Sequence, residues 1–137
     1  MEKFEIVKIK PVSEDARGMI AEILNNEPIL HVGIITVKSN SIRGNHYHKN
    51  QTQYTFIIDG KFKLLIKNLK DNNAKTEQYE VDNFDLIKIP TYFYHSFEAL
   101  KDSTILTLST KSREGDNYEL DTFRVKEIDN SDKTSLI

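Results

Sequence analysis

The chain has 137 residues with a net charge of -2 and a pI near 6.1, which bounds it to one domain and leaves no basic footprint for nucleic acid. No apolar run approaches the roughly 20 residues a membrane span needs, and "MEKFEIVKIK" carries charges where a signal peptide has its apolar core. With no cysteine there is no disulfide framework, and a metal site must use nitrogen and oxygen ligands. A cytoplasmic enzyme or binding module is the expectation.

In chain order, short β-branched or aromatic-rich runs alternate with polar punctuation. The runs "FEIVKIK", "MIAEIL", "LHVGIITVK", "QYTFIID" and "KFKLLIKNL" read as strands, followed by "KTEQYEV", "FDLIKIP", "YHSFEAL" and "TILTLST". In "KFKLLIK", Phe62, Leu64 and Ile66 share one face while Lys61, Lys63 and Lys67 share the other. Asp59-Gly60, between two such runs, predicts a type I′ hairpin turn, and "KDNNAK" predicts a polar loop between another antiparallel pair. No amphipathic helix of useful length is legible. Residues 1–128 therefore read as one all-β domain, a sandwich or barrel, with a frayed tail from Asp129.

The chemistry-bearing stretch is "RGNHYHKNQTQ". Residues i and i+2 of a strand point the same way, so His46 and His48 present both imidazoles to one side. Gln53 follows after a polar bend, and His95 follows "IPTYFY". Three histidines and an amide oxygen make a nitrogen-rich cup for a divalent ion, imidazole suiting zinc, iron, nickel or copper. Without an ion, the same imidazoles suit acid–base work near neutral pH. The fourth histidine, His31, has no partner pattern and reads as structural. Tyr47 is expected to point away from the His46/His48 face, and Tyr54, Tyr92 and Tyr94 read as packing or rim residues.

The spacing of His46, His48, Gln53 and Gly60, and of Pro90, Tyr92 and His95, resembles the two signature motifs of the cupin superfamily. Gln53 stands where that family usually has glutamate, and Tyr92 where it usually has glycine. The resemblance implies a double-stranded β-helix, or jelly-roll barrel, as a single domain. It also implies His46, His48, Gln53 and His95 as the ligand set when a divalent metal such as zinc, iron, manganese or nickel is bound. Loss of the carboxylate raises the charge of such a site from +1 to +2, which weakens metal binding and acidifies bound water.

Arg43, Gly44, His46, His48, Lys49 and Gln53 further resemble the motif of dTDP-4-keto-6-deoxyglucose 3,4-ketoisomerases. "DARGMIAEI", with Asp15, Arg17, Gly18 and Glu22, is similar to an early segment of those enzymes and of dTDP-sugar 3,5-epimerases. "RGNHYH" is also very similar to the zinc-binding C-terminal cupin of certain UDP-sugar capsule enzymes. These resemblances imply a nucleotide-sugar isomerase or epimerase of cell-surface polysaccharide synthesis, acting as a homodimer. His46 and His48 would be its acid–base residues, Arg17, Arg43, Lys49, Glu22 and Tyr94 would contact substrate, and no cofactor would be required. The ketoisomerases carry a tyrosine pair on the strand before the motif, and "HVGIITVK" has none. A metal-dependent dioxygenase or lyase, and a non-catalytic small-molecule-binding barrel, are the alternatives.

Overall fold

The computed structural model describes residues 2–125 and, as backbone alone, Lys133–Ser135. Strand follows strand: β1 (Glu5–Lys8), β2 (Ser13–Asp15), β3 (Gly18–Ile20), β4 (His31–Val37) and β5 (Ile42–Tyr47). Then come β6 (Gln53–Asp59), β7 (Lys61–Asn68), β8 (Thr76–Asp82), β9 (Asp85–Ile89), β10 (Phe93–Ala99) and β11 (Ser103–Ser109). A single helical turn, α1 (Asn117–Leu120), precedes β12 (Phe123–Arg124) and β13 (Lys133–Ser135). Among the described residues no helix is long and apolar enough to cross a membrane.

Two sheets enclose the core. One runs β1-β9-β6-β11-β4 and the other β12-β5-β10-β7-β8-β13, while β2 and β3 form a separate ribbon. Strands distant in sequence are neighbours throughout, as in a jelly roll. The alternation expected of β7 holds: Phe62 and Leu64 are fully buried and Ile66 nearly so. They meet Ile57, Ile87, Phe97 and Ile105 between the sheets. Burying each such side chain contributes about 1.5–3 kcal/mol before chain entropy is counted. The loop expected at "KDNNAK" does join an antiparallel pair, β7 and β8.

Two sequence expectations are revised. Asp59-Gly60 is not a hairpin turn, because β6 and β7 lie in different sheets and do not pair. Gly60 instead lets the chain cross between sheets with a φ of +153°, where a Cβ would overlap the side chain of Ser103. The run "MIAEIL" contributes only Met19 and Ile20 to a strand. Its Ile23 and Leu24 pack, with Ile29, over Tyr54, Phe56, Leu86 and Leu108 on the outer face of the five-stranded sheet. Apolar cover for that face outweighs strand pairing there. Lys133–Ser135 run parallel to β8. The rest of the tail expected to fray, 129–132 and 136–137, lies outside the described residues.

Candidate active site

The site is built on a defect in β5. Opposite β10, His46 pairs with His95 but Gly44 pairs with Ser96, so Asn45 is an extra, bulged residue. Gly44 has φ +99° and Asn45 φ +58°, both in the left-handed region. Asn45 is held by the Tyr94 hydroxyl, which donates to its Oδ1 at 2.8 Å, and by the Val125 amide, which donates to its carbonyl. The bulge reverses the alternation. Arg43 pairs with Phe97, an inward residue, so Arg43 and His46 share the interior face although they are three apart in sequence.

His46, His48 and His95 converge there. Ring centroids are 4.7 Å apart for His46–His48 and for His46–His95, and 5.6 Å for His48–His95. All three side chains are buried. Nδ1 of His48 lies 2.8 Å from the Asp121 carbonyl, and Nδ1 of His95 lies 3.0 Å from the Phe93 carbonyl. A carbonyl only accepts, so both Nδ1 atoms carry the proton and both Nε2 atoms keep a lone pair. Those two Nε2 atoms are buried and have no hydrogen-bond partner among the described residues.

Among the described residues no carboxylate forms an ion pair with these imidazoles, and burial makes their charged forms costly. Desolvation pushes His46 down to about 3, with His48, Arg124 and Arg113 adding to it. Burial lowers His48 against the opposing pull of the Asp121 carbonyl, and drives His95 well below the usual histidine range. Three neutral imidazoles therefore cluster together at neutral pH.

These residues fit a divalent ion. One nitrogen from each ring lies within 4.8 Å of the others. Carbonyl-anchored Nδ1–H groups with free, inward Nε2 atoms are the arrangement that orients metal-ligating histidines. Gln53 lines the same cavity, its amide nitrogen donating to Thr55 Oγ1 at 3.0 Å.

The segment after β11 closes the site, and nothing in its polar, aperiodic sequence marks it as functional. The Asp121 carboxylate accepts from the backbone amides of Lys49, Asn50 and Gln51 at 2.8–3.2 Å, moulding the bend between β5 and β6. Tyr118 lies against His46 and His48, with centroids 6.4 and 5.6 Å away. Arg113 packs over the Tyr118 ring at 4.4 Å and donates to Gln51 Oε1 at 3.3 Å. The cavity lined by His46, His95, Gln53, Arg43, Arg113 and Tyr118 has a volume of about 120 Å³, with His48 packed against His46 and His95.

Of the residues singled out in the sequence, the site gathers His46, His48, Gln53, His95 and Arg43, all but His48 lining the cavity. The others lie elsewhere in the chain. Arg17 is exposed on the β2–β3 ribbon, paired with Asp15 at 2.7 Å. Glu22 is exposed and accepts from Asn25. Lys49 turns outward, its Nζ 4.2 Å from the Phe123 ring centre. Tyr94 alternates away from His95 and serves the bulge. Tyr47 points away from the imidazoles, as expected, and stacks on Phe123. Tyr92 has φ +63°, so the position where cupins carry glycine does require a left-handed residue here. His31 lies on the inward face of β4, its ring over Gly33 and in the field of Arg113.

A buried histidine cup inside a double-sheeted jelly roll gives the protein the cupin fold. The family model for the polysaccharide biosynthesis C-terminal domain matches residues 13–123, and the chain belongs to that family. No curated protein matches it. Among solved structures it is similar to the dTDP-4-dehydrorhamnose 3,5-epimerase of Bacillus anthracis with TDP and PPi bound. That match has 17% identity and a TM-score of 0.75, covering 94% of this chain and 82% of that one. The WlaRB TDP-quinovose 3,4-ketoisomerase of Campylobacter jejuni matches at 18% identity and TM-score 0.74, over 91% of this chain and 95% of that one. CapF with 3-isopropenyl-tropolone matches at 19% identity and TM-score 0.62, over 87% of this chain and 34% of that one.

Proposed function

We propose that the protein is an isomerase or epimerase of a nucleotide-linked keto-deoxysugar, dTDP- or UDP-based, in the cytoplasmic synthesis of surface polysaccharide. One observation carries the reading: buried, neutral imidazoles with lone pairs facing a shared cavity. Such a group takes the proton from a carbon beside a carbonyl. The C–H bond breaks, an N–H bond forms, and the electron pair moves into a C=C bond, leaving an enolate oxygen. Returning that proton to the same carbon from its other face, by the neighbouring imidazole, completes epimerisation; isomerisation instead passes the adjacent hydroxyl's proton to the enolate oxygen while the imidazolium protonates the former carbonyl carbon, leaving C=O one carbon along. His46 and His48 take these roles. An oxyanion forming beside them raises their basicity as the proton moves, because opposite charge favours imidazolium. Arg43, exposed at the mouth, suits the diphosphate through its planar fork.

A divalent ion is compatible with the same reaction. His46, His48 and His95, with Gln53 beside them, would hold it, and it would polarise the substrate carbonyl as a Lewis acid. A homodimer is supported by β4, an edge strand whose outer face exposes Val32 (60%) and Ile34 (69%) next to Leu30 (65%).

The test is to incubate the protein with TDP- or UDP-linked 4-keto-6-deoxyhexose in D2O. Deuterium is expected at the carbon next to the carbonyl, followed by the rearranged sugar. Solvent exchange no faster than in the His46→Ala,His48→Ala double variant would overturn the reading.

A further inference from the structure

Arg113 is the cavity's unexplained charge. Its Nε is buried without a hydrogen-bond partner, and no carboxylate lies within ion-pair distance of it among the described residues. Arg113 is half-buried, and withdrawing part of a guanidinium from water without an anion is unfavourable, a penalty that apolar residues of similar size do not carry. Yet it is held with care. Tyr118 supports one face, and Gln51 Oε1 accepts from Nη2. Gln51 is in turn buried and fixed by the Ser109 hydroxyl. The field of Arg113 reaches His46, His48 and His95 alike.

We infer that Arg113 is a catalytic residue, binding the substrate's keto oxygen as that oxygen takes on negative charge. This rests on the keto-sugar reading above and adds the group that reading lacks. Proton removal by a neutral imidazole leaves one negative charge on oxygen, and no backbone nest or metal is needed to face it if a desolvated cation is already aimed there. Location selects this role over binding the diphosphate. At about 120 Å³ the cavity is smaller than pockets that hold whole ligands, so it takes the reacting edge of a sugar and not a nucleotide. Arg113 is half-buried beside the imidazoles, whereas Arg43 is exposed at the mouth.

The experiment compares wild type, Arg113→Lys and Arg113→Met for deuterium incorporation, steady-state kinetics and TDP or UDP binding, with melting temperatures alongside. Losing one preorganised donor is worth about 100- to 1,000-fold in kcat. Arg113→Met is expected to lose that factor in both exchange and kcat, with KM and nucleotide Kd within about threefold. Millimolar guanidinium ion is expected to restore part of the rate to Arg113→Met and none to wild type. A raised KM at unchanged kcat would assign Arg113 to the phosphates and overturn the inference, as would unchanged exchange. Unfolding of both variants would assign Arg113 to the fold and overturn the inference equally. If wild type itself exchanges no deuterium, the keto-sugar reading fails and takes this inference with it; loss confined to the variants distinguishes the two.

Discussion

Gly44 passes so close to His95 that a Cβ on it would sit 2.8 Å from the His95 carbonyl oxygen. The obstruction is backbone, which cannot swing away as a side-chain tip can. With a φ of +99° as well, the position excludes other residues on two grounds. Gly44→Ala is expected to cost about 2–4 kcal/mol in urea unfolding. Because the same contact sets the distance between β5 and β10, it is also expected to separate His46 from His95 and lower turnover in the protein that remains folded. A variant of wild-type stability and activity would show that the bulge does not set the cup.

Asp121 joins the closing segment to the histidine strand. Its carboxylate collects three successive backbone amides, and its carbonyl fixes the His48 tautomer. Charge-assisted hydrogen bonds of this kind contribute about 1.5–3 kcal/mol each and do not add fully. Asp121→Ala is therefore expected to destabilise the protein by about 2–4 kcal/mol, with Asp121→Asn recovering part of it. Chemical denaturation of the three proteins decides this.

The imidazoles also predict a pH dependence of stability. Their folded pKa values lie below the unfolded value near 6.5, so the unfolded chain binds more protons in between. Stability is full above about pH 6.5 and is lost on acidification towards the folded pKa, which for His46 is about 3. Each group contributes a slope of up to about 1.4 kcal/mol per pH unit within that window. Unfolding free energies measured in EDTA between pH 7.5 and 5 are expected to fall, and His46→Gln is expected to flatten the fall. Equal slopes for the two proteins would contradict the assignment.

Gln53→Glu restores an anionic ligand to the cup. It is expected to tighten zinc or nickel binding at least about tenfold, while His95→Gln weakens it by a similar or larger factor. Competition against a chromophoric chelator measures both. If neither variant alters affinity, the ion binds away from this cavity.

Much of this architecture was legible along the chain, because strand periodicity is a local property. Phe62, Leu64 and Ile66 declare their face through spacing alone, and His46 and His48 declare theirs in the same way. Arg43 shows where that logic stops. Parity puts it on the opposite face from His46, but the bulge at Asn45 turns it inward. The bulge depends on Tyr94 and on the approach of His95, about fifty residues away in the chain.

The amino-acid order by itself therefore determined an all-β domain and a pair of imidazoles sharing one side of a strand. That followed because alternation and i, i+2 geometry need no information beyond the strand itself. Only the tertiary structure decided what encloses those imidazoles. Arg113, Tyr118 and Asp121 come from an aperiodic, polar segment with no signal of its own, brought over the cavity by amides and rings from distant strands. Contacts that depend on partners distant in the chain leave no periodic trace in the sequence.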